Sequence, residues 1–96
     1  MYDIIGEWDK GKFFSNGVVT DFKNYPIGLW SMTGDLVSVS LKTRSGGLAL
    51  YTGVFDAEKG EITGKVKDYS YTWLAKVNDP EASYFEADFV MRRING

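Results

Sequence analysis

The segment from Gly47 to Gly64 constrains the fold most. It reads Gly-Leu-Ala-Leu-Tyr-Thr-Gly-Val-Phe, then Asp-Ala-Glu-Lys-Gly, then Glu-Ile-Thr-Gly. Successive side chains of an extended chain point to opposite faces, so Leu48, Leu50 and Val54 share one face and Ala49, Tyr51 and Phe55 the other. Both faces are apolar. A strand with one wet face alternates, whereas one that is apolar on both faces is expected to be covered on both. Asp56-Ala-Glu-Lys-Gly60 has turn chemistry, and Ile62, Gly64 and Val66 then alternate with Glu61, Thr63, Lys65 and Lys67. The stretch predicts a buried strand hairpinned onto a half-exposed one, with neighbours on either side.

The same period runs through the rest of the chain. Ile4, Gly6 and Trp8 fall on one face of a first strand, and Lys12 to Ser15 form a second. Asn16-Gly17, set between Phe13-Phe14 and Val18-Val19, is a strong hairpin signal. Val18 to Phe22 and Ile27 to Met32 follow, separated by a loop ending at Pro26. Val37, Val39 and Leu41 then alternate with Ser38, Ser40 and Lys42. Beyond the central hairpin, Tyr71 to Val77 and Tyr84 to Arg93 read as strands, the latter with Phe85, Ala87, Phe89 and Met91 on one face. Asn78 to Ala82 is the one place for a helical turn. No long segment shows the 3.6-residue period of a helix. Tight turns joining about eight short strands predict an all-β, antiparallel up-and-down meander. Closing it into a small barrel removes both exposed edges.

Composition narrows the function. The 96 residues predict a single barrel domain over 1–96. Fifteen aromatic residues (3 Trp, 6 Tyr, 6 Phe) let a thin β-structure bury enough area without helices. Net charge is −2, so no basic surface is offered to nucleic-acid phosphates. Cysteine and histidine are both absent, which removes disulfides, thiolate ligands, and the commonest general base and metal ligand. No apolar run approaches the length of a membrane span, and the N-terminal residues lack a signal-peptide pattern. A cytoplasmic protein is expected, without nucleic-acid or membrane partners.

Certain residues resemble a known family at this point. Gly6-Glu-Trp8 on the first strand is similar to the Gly-x-Trp signature of the calycin group: lipocalins, fatty-acid-binding proteins and avidins. Gly28-Leu-Trp30 repeats the pattern. Phe14-Ser-Asn-Gly-Val-Val, Tyr51-Thr-Gly-Val-Phe, Gly60-Glu-Ile-Thr-Gly and Trp73-Leu-Ala resemble the rhythm of small bacterial lipocalin-like barrels. The resemblance implies a closed barrel with a basic residue of the last strand packed across the first-strand tryptophan. Arg92 and Arg93 stand there. Arg93 shares the face of Phe89 and Met91, so Trp8 and Arg93 are the expected barrel-end pair.

Two functions compete. With no nucleophile–base pair, metal cluster or cofactor fingerprint, the chain is not expected to be an enzyme or to hold a cofactor. Glu7, Asp9, Asp21 and Asp35 read as solvated acids and turn formers. Asp56, Glu58 and Glu61 belong to a hairpin rather than an EF-hand loop, and Thr43 to Gly47 lacks the strand-to-helix setting of a phosphate loop. The favoured reading is a protein-interaction module of inhibitor, immunity or adaptor type. Leu48, Leu50 and Val54 would form an interface to a protein partner or a second copy of the chain. The alternative is a small-molecule binder, with Trp30, Tyr51, Tyr71 and Trp73 lining a site for an apolar or aromatic ligand.

Overall fold

The computed structural model describes residues 4–43, 46–69 and 84–95. Its strands are β1 (Gly6–Trp8), β2 (Gly11–Phe13), β3 (Val18–Thr20), β4 (Pro26–Thr33), β5 (Leu36–Lys42), β6 (Leu48–Asp56), β7 (Glu61–Asp68) and β8 (Phe85–Asn95). Each pairs antiparallel with the next, and β8 returns to β1 through Glu7↔Asn95 and Trp8↔Arg93. The result is a closed, eight-stranded meander barrel. The expected strand over 71–77 and helical turn over 78–82 lie outside the described residues.

Turn chemistry sets the strand boundaries. The hairpin at Asn16-Gly17 is a three-residue loop rather than a two-residue one. Gly17 N–H donates to Phe14 O at 3.0 Å and Phe14 N–H to Val18 O at 3.0 Å. Only Gly17 (φ 84°) enters the left-handed region, while the Asn16 carboxamide oxygen accepts Val18 N–H at 3.1 Å. This is a type I turn closed by a left-handed residue, the usual three-residue solution. It shortens the strand expected over 12–15 to Gly11–Phe13. The Asp56–Gly60 turn forms as its sequence suggests. The Asp56 carboxylate accepts the N–H groups of Glu58 and Lys59 at 3.0 and 3.2 Å.

The longer strands place their inward residues in layers across the wall. Trp30, Val39, Tyr51, Val66 and Ala87 are successive cross-strand partners, forming one layer. Met32, Val37, Gly53, Gly64 and Phe89 form the next, and Phe55, Ile62 and Met91 a third. The core comprises Ile4, Trp8, Phe13, Val19, Val37, Val39, Leu41, Phe55, Ile62, Phe89 and Met91. Ala49 is buried too, so the face of Ala49, Tyr51 and Phe55 is the inward one. Leu48 and Val54 on the other face are exposed, so β6 is covered on one face and not on both as its sequence suggested.

The backbones of β6 and β7 approach closely at a pair of glycines. Gly53 and Gly64 face each other directly. A Cβ on Gly64 would lie 2.1 Å from Thr52 O and 2.5 Å from Gly53 Cα, and one on Gly53 would meet Phe89 Cζ at 3.0 Å. The missing side chains let two backbones close together and leave room for the Phe89 ring. Glycine inside a strand commonly marks such a bend or close approach.

Candidate functional site

One barrel end is sealed by aromatic packing. Trp8 is fully buried and its indole N–H donates to Ile4 O at 2.8 Å, which satisfies its one polar group. Phe13 and Phe55 lie against it, each with ring centroids 6.0 Å away, Phe55 edge-on at 68°. The Arg93 guanidinium sits 5.0 Å above the Trp8 ring and 5.6 Å from the Phe55 ring. A planar, weakly hydrated cation is suited to this position against two aromatic rings. The contact expected between Trp8 and Arg93 is present.

Farther along the barrel, Trp30 and Tyr51 share a layer but are only half-buried. Trp30 stacks on Phe13 (6.3 Å, 27°) and spends its indole N–H on Phe14 O at 2.7 Å. Tyr51 meets Phe89 edge-on at 5.0 Å. Burial pushes the Tyr51 phenol above its ordinary value of 10.0, and the negative charges of Asp68 and then Asp9 push in the same direction. Both rings therefore face the core, and their neighbours already occupy much of their surface. Tyr71 and Trp73 lie outside the described residues.

The outer wall divides sharply in character. On β7 and β8, Lys65 pairs with Asp88 and Arg92 with Glu61 at 3.1 Å. The Asp88 carboxylate holds the Lys65 ammonium above its usual range, first by the hydrogen bond and then by its charge. On β4, β5 and β6 the register builds three outward rows instead: Leu29–Ser40–Leu50, Ser31–Ser38–Thr52 and Thr33–Leu36–Val54. None of these residues is charged. Leu29 and Leu36 each expose 61% of their surface, Val54 49% and the adjoining Leu48 41%.

Shape follows from side-chain size. The serines of β5 lie low between Leu29 on one side and Leu50 on the other, forming an open groove of about 450 Å³. It runs on past Ser40 toward Lys42 and Leu48. Charge returns at the ends of this face, as Lys42 at one and Asp35 and Asp56 at the other, and along its β7 border, where Lys67 and Lys65 stand in register with Leu50 and Thr52. Leu48, Leu50 and Val54 thus come together on one surface, and the register adds Leu29 and Leu36. Parity would have found both, since Leu29 is in phase with Ser31 and Leu36 with Ser38.

Among the described residues, the acidic groups build no second centre. The Asp56 carboxylate is engaged by its own turn and Glu61 by Arg92. Among the described residues, no three acidic side chains gather in a way that would hold a metal ion. Set against known proteins, the chain matches no family model, no curated protein and no solved structure.

Proposed function

We propose that this protein is a non-enzymatic interaction module of inhibitor, immunity or adaptor type, built on a cytoplasmic calycin-like barrel. Its contact surface is the outer face of β4, β5 and β6. One observation carries the reading: three adjacent strands present nine outward residues without a charge, while β7 and β8 carry the Lys65–Asp88 and Arg92–Glu61 pairs. Solvated sheet faces ordinarily carry charged residues. Here five of the nine carry only hydroxyls and the other four, Leu29, Leu36, Leu50 and Val54, are large and apolar. Exposed apolar residues clustered within a charged rim mark a contact surface. Leu48, Leu50 and Val54 lie within it, flanked by Leu29 and Leu36. The calycin reading is supported by the Gly6-Glu-Trp8 motif and the Trp8–Arg93 contact in a closed meander barrel.

A small-ligand reading is favoured by a different observation. The layer containing Trp30, Tyr51 and Val66 is less buried than the Phe55, Ile62 and Met91 layer beside Trp8. Native mass spectrometry on gently purified protein separates the two. A complex of protein mass, lost on Leu50→Glu, supports the contact surface. A reproducible small adduct on a monomer, unaffected by Leu50→Glu and lost on Tyr51→Ala, would replace it with the ligand-binding reading.

A further inference from the structure

We infer that the partner of this surface is a second copy of the same chain, packed face to face about a twofold axis. The inference rests on the reading of the β4–β6 outer face as a contact surface and adds what covers it. The argument is self-complementarity, in charge and in shape.

A dimer of two identical faces needs an axis lying in the contact plane. An axis parallel to the strands would place Lys42 over Lys42 of the other copy. An axis perpendicular to them, passing beside Ser38 and Thr52, exchanges the two ends of the face. Lys42 then lies at the end where the other copy presents Asp35 and Asp56. Like charges brought together are costly and opposite charges fix register. Lys65, in register with Thr52 beside this axis, is already paired with Asp88, so the charges at the two ends select the second axis.

The same axis matches the relief. Ser38 and Thr52 are cross-strand partners and lie on it, so the Leu29–Ser40–Leu50 row of one copy faces the Thr33–Leu36–Val54 row of the other. Leu36, as exposed as Leu29, comes over Ser40, which is the low point between Leu29 and Leu50. Val54 comes over Leu50. Leu29 comes over Thr33, so Leu29 and Leu36 each find a smaller residue, twice by symmetry, while Val54 and Leu50 meet as an apolar pair. Two antiparallel sheets packed this way keep their strands near the aligned sandwich angle of about −30°.

The test uses Lys42→Glu and Asp35→Lys, made separately. Both positions are exposed, and thermal unfolding of each variant checks the fold. The wild type should sediment as a dimer across the micromolar range. Each single variant should dimerise at least about tenfold more weakly, because two symmetric attractions become repulsions. Mixing the two variants should restore a dimer, read by native mass spectrometry as a heterodimer of distinct mass. In that pair, Glu replaces Lys at one end and meets the new Lys, while the untouched Lys42 and Asp35 still meet. Ser38→Arg should weaken every combination by bringing two guanidinium groups together on the axis.

A monomeric wild type, or a mixture giving no more heterodimer than statistics allow, overturns the inference. If that happens while Leu50→Glu abolishes a complex with a different protein, the contact-surface reading stands and the second copy falls. If no protein contact responds to Leu50→Glu, both fall.

Discussion

Replacing Gly64 by alanine adds one methyl group, yet this substitution should be among the most damaging conservative changes in the barrel. Its Cβ would lie 2.1 Å from Thr52 O, about 1.3 Å inside ordinary contact at 3.4 Å, and 2.5 Å from Gly53 Cα. Both obstacles are backbone, so no rotamer change relieves them. The β6–β7 ladder must open, and it is continuous on either side through Tyr51↔Val66 and Phe55↔Ile62. Overpacking a well-packed core costs about 1–3 kcal/mol, occasionally more; with backbone on both sides the expected value is about 3 kcal/mol. For a domain of this size each kcal/mol lowers Tm by about 4–8 °C, so a fall of about 12–24 °C is expected. Gly34→Ala is the control, since no atom lies within 4 Å of its Cβ and only its φ of 60° resists a side chain. That costs about 1–2 kcal/mol. Thermal unfolding followed by circular dichroism, with urea titration for the free energy, measures both. A Gly64→Ala variant no less stable than Gly34→Ala would refute the close-approach account of the glycine pair.

Other expectations follow from the same geometry. Above pH 10 the unfolded chain releases the Tyr51 proton before the folded protein does, because the folded phenol is raised. Stability should therefore be insensitive to this group below pH 10 and fall above it. Tyr51→Phe should remove that part of the alkaline decline, and ultraviolet titration should show the missing phenol to be one that ionises late. Lys65, raised by Asp88, stabilises the fold below its unfolded pKa of 10.5 and ceases to do so as pH rises through its folded value. Its contribution persists in Tyr51→Phe, so the difference between the two proteins isolates the tyrosine. Arg93→Lys should cost about 1 kcal/mol, because a compact, strongly hydrated ammonium replaces the guanidinium held against Trp8 and Phe55; denaturant titration monitored by Trp fluorescence measures it. Leu50→Glu should leave Tm within a few degrees while abolishing association in sedimentation velocity.

Much of this architecture was legible from side-chain parity. The phase of Val37, Val39 and Leu41 put them inside, that of Phe85 to Met91 set the face of the last strand, and together they placed Arg93 beside Trp8. Parity works here because one face of each long strand is buried, which makes a one-residue slip prohibitive. Two things were not legible. The glycines at 53 and 64 read as blanks in the alternation, since no local signal says that they face each other across a ladder. Register comes from turn lengths, and the loop at Asn16-Gly17 has three residues where the dipeptide suggested two. The uncharged face was half-seen for the same reason. Leu48, Leu50 and Val54 stood out on one strand, but their rows with Leu29 and Leu36 exist only once β4, β5 and β6 are aligned.

That alignment also explains why an apolar-on-both-sides strand can sit in a barrel wall. The inward side of β6 is short of volume, with Ala49 and Gly53 among its inward residues, and Phe89 and Tyr51 fill the space that remains. Its outward side carries Leu48, Leu50 and Val54, which the inner packing does not require. Substitution of these outer leucines by threonine or serine would keep strand propensity and the core intact. Their cost in the isolated barrel is exposed apolar surface, at about 25 cal/mol for each Å² left in water. The interior of the barrel gives no reason for that surface, whereas contact with another face does. On the proposed reading, the division between a charged β7–β8 wall and an uncharged β4–β6 wall belongs to association rather than to folding.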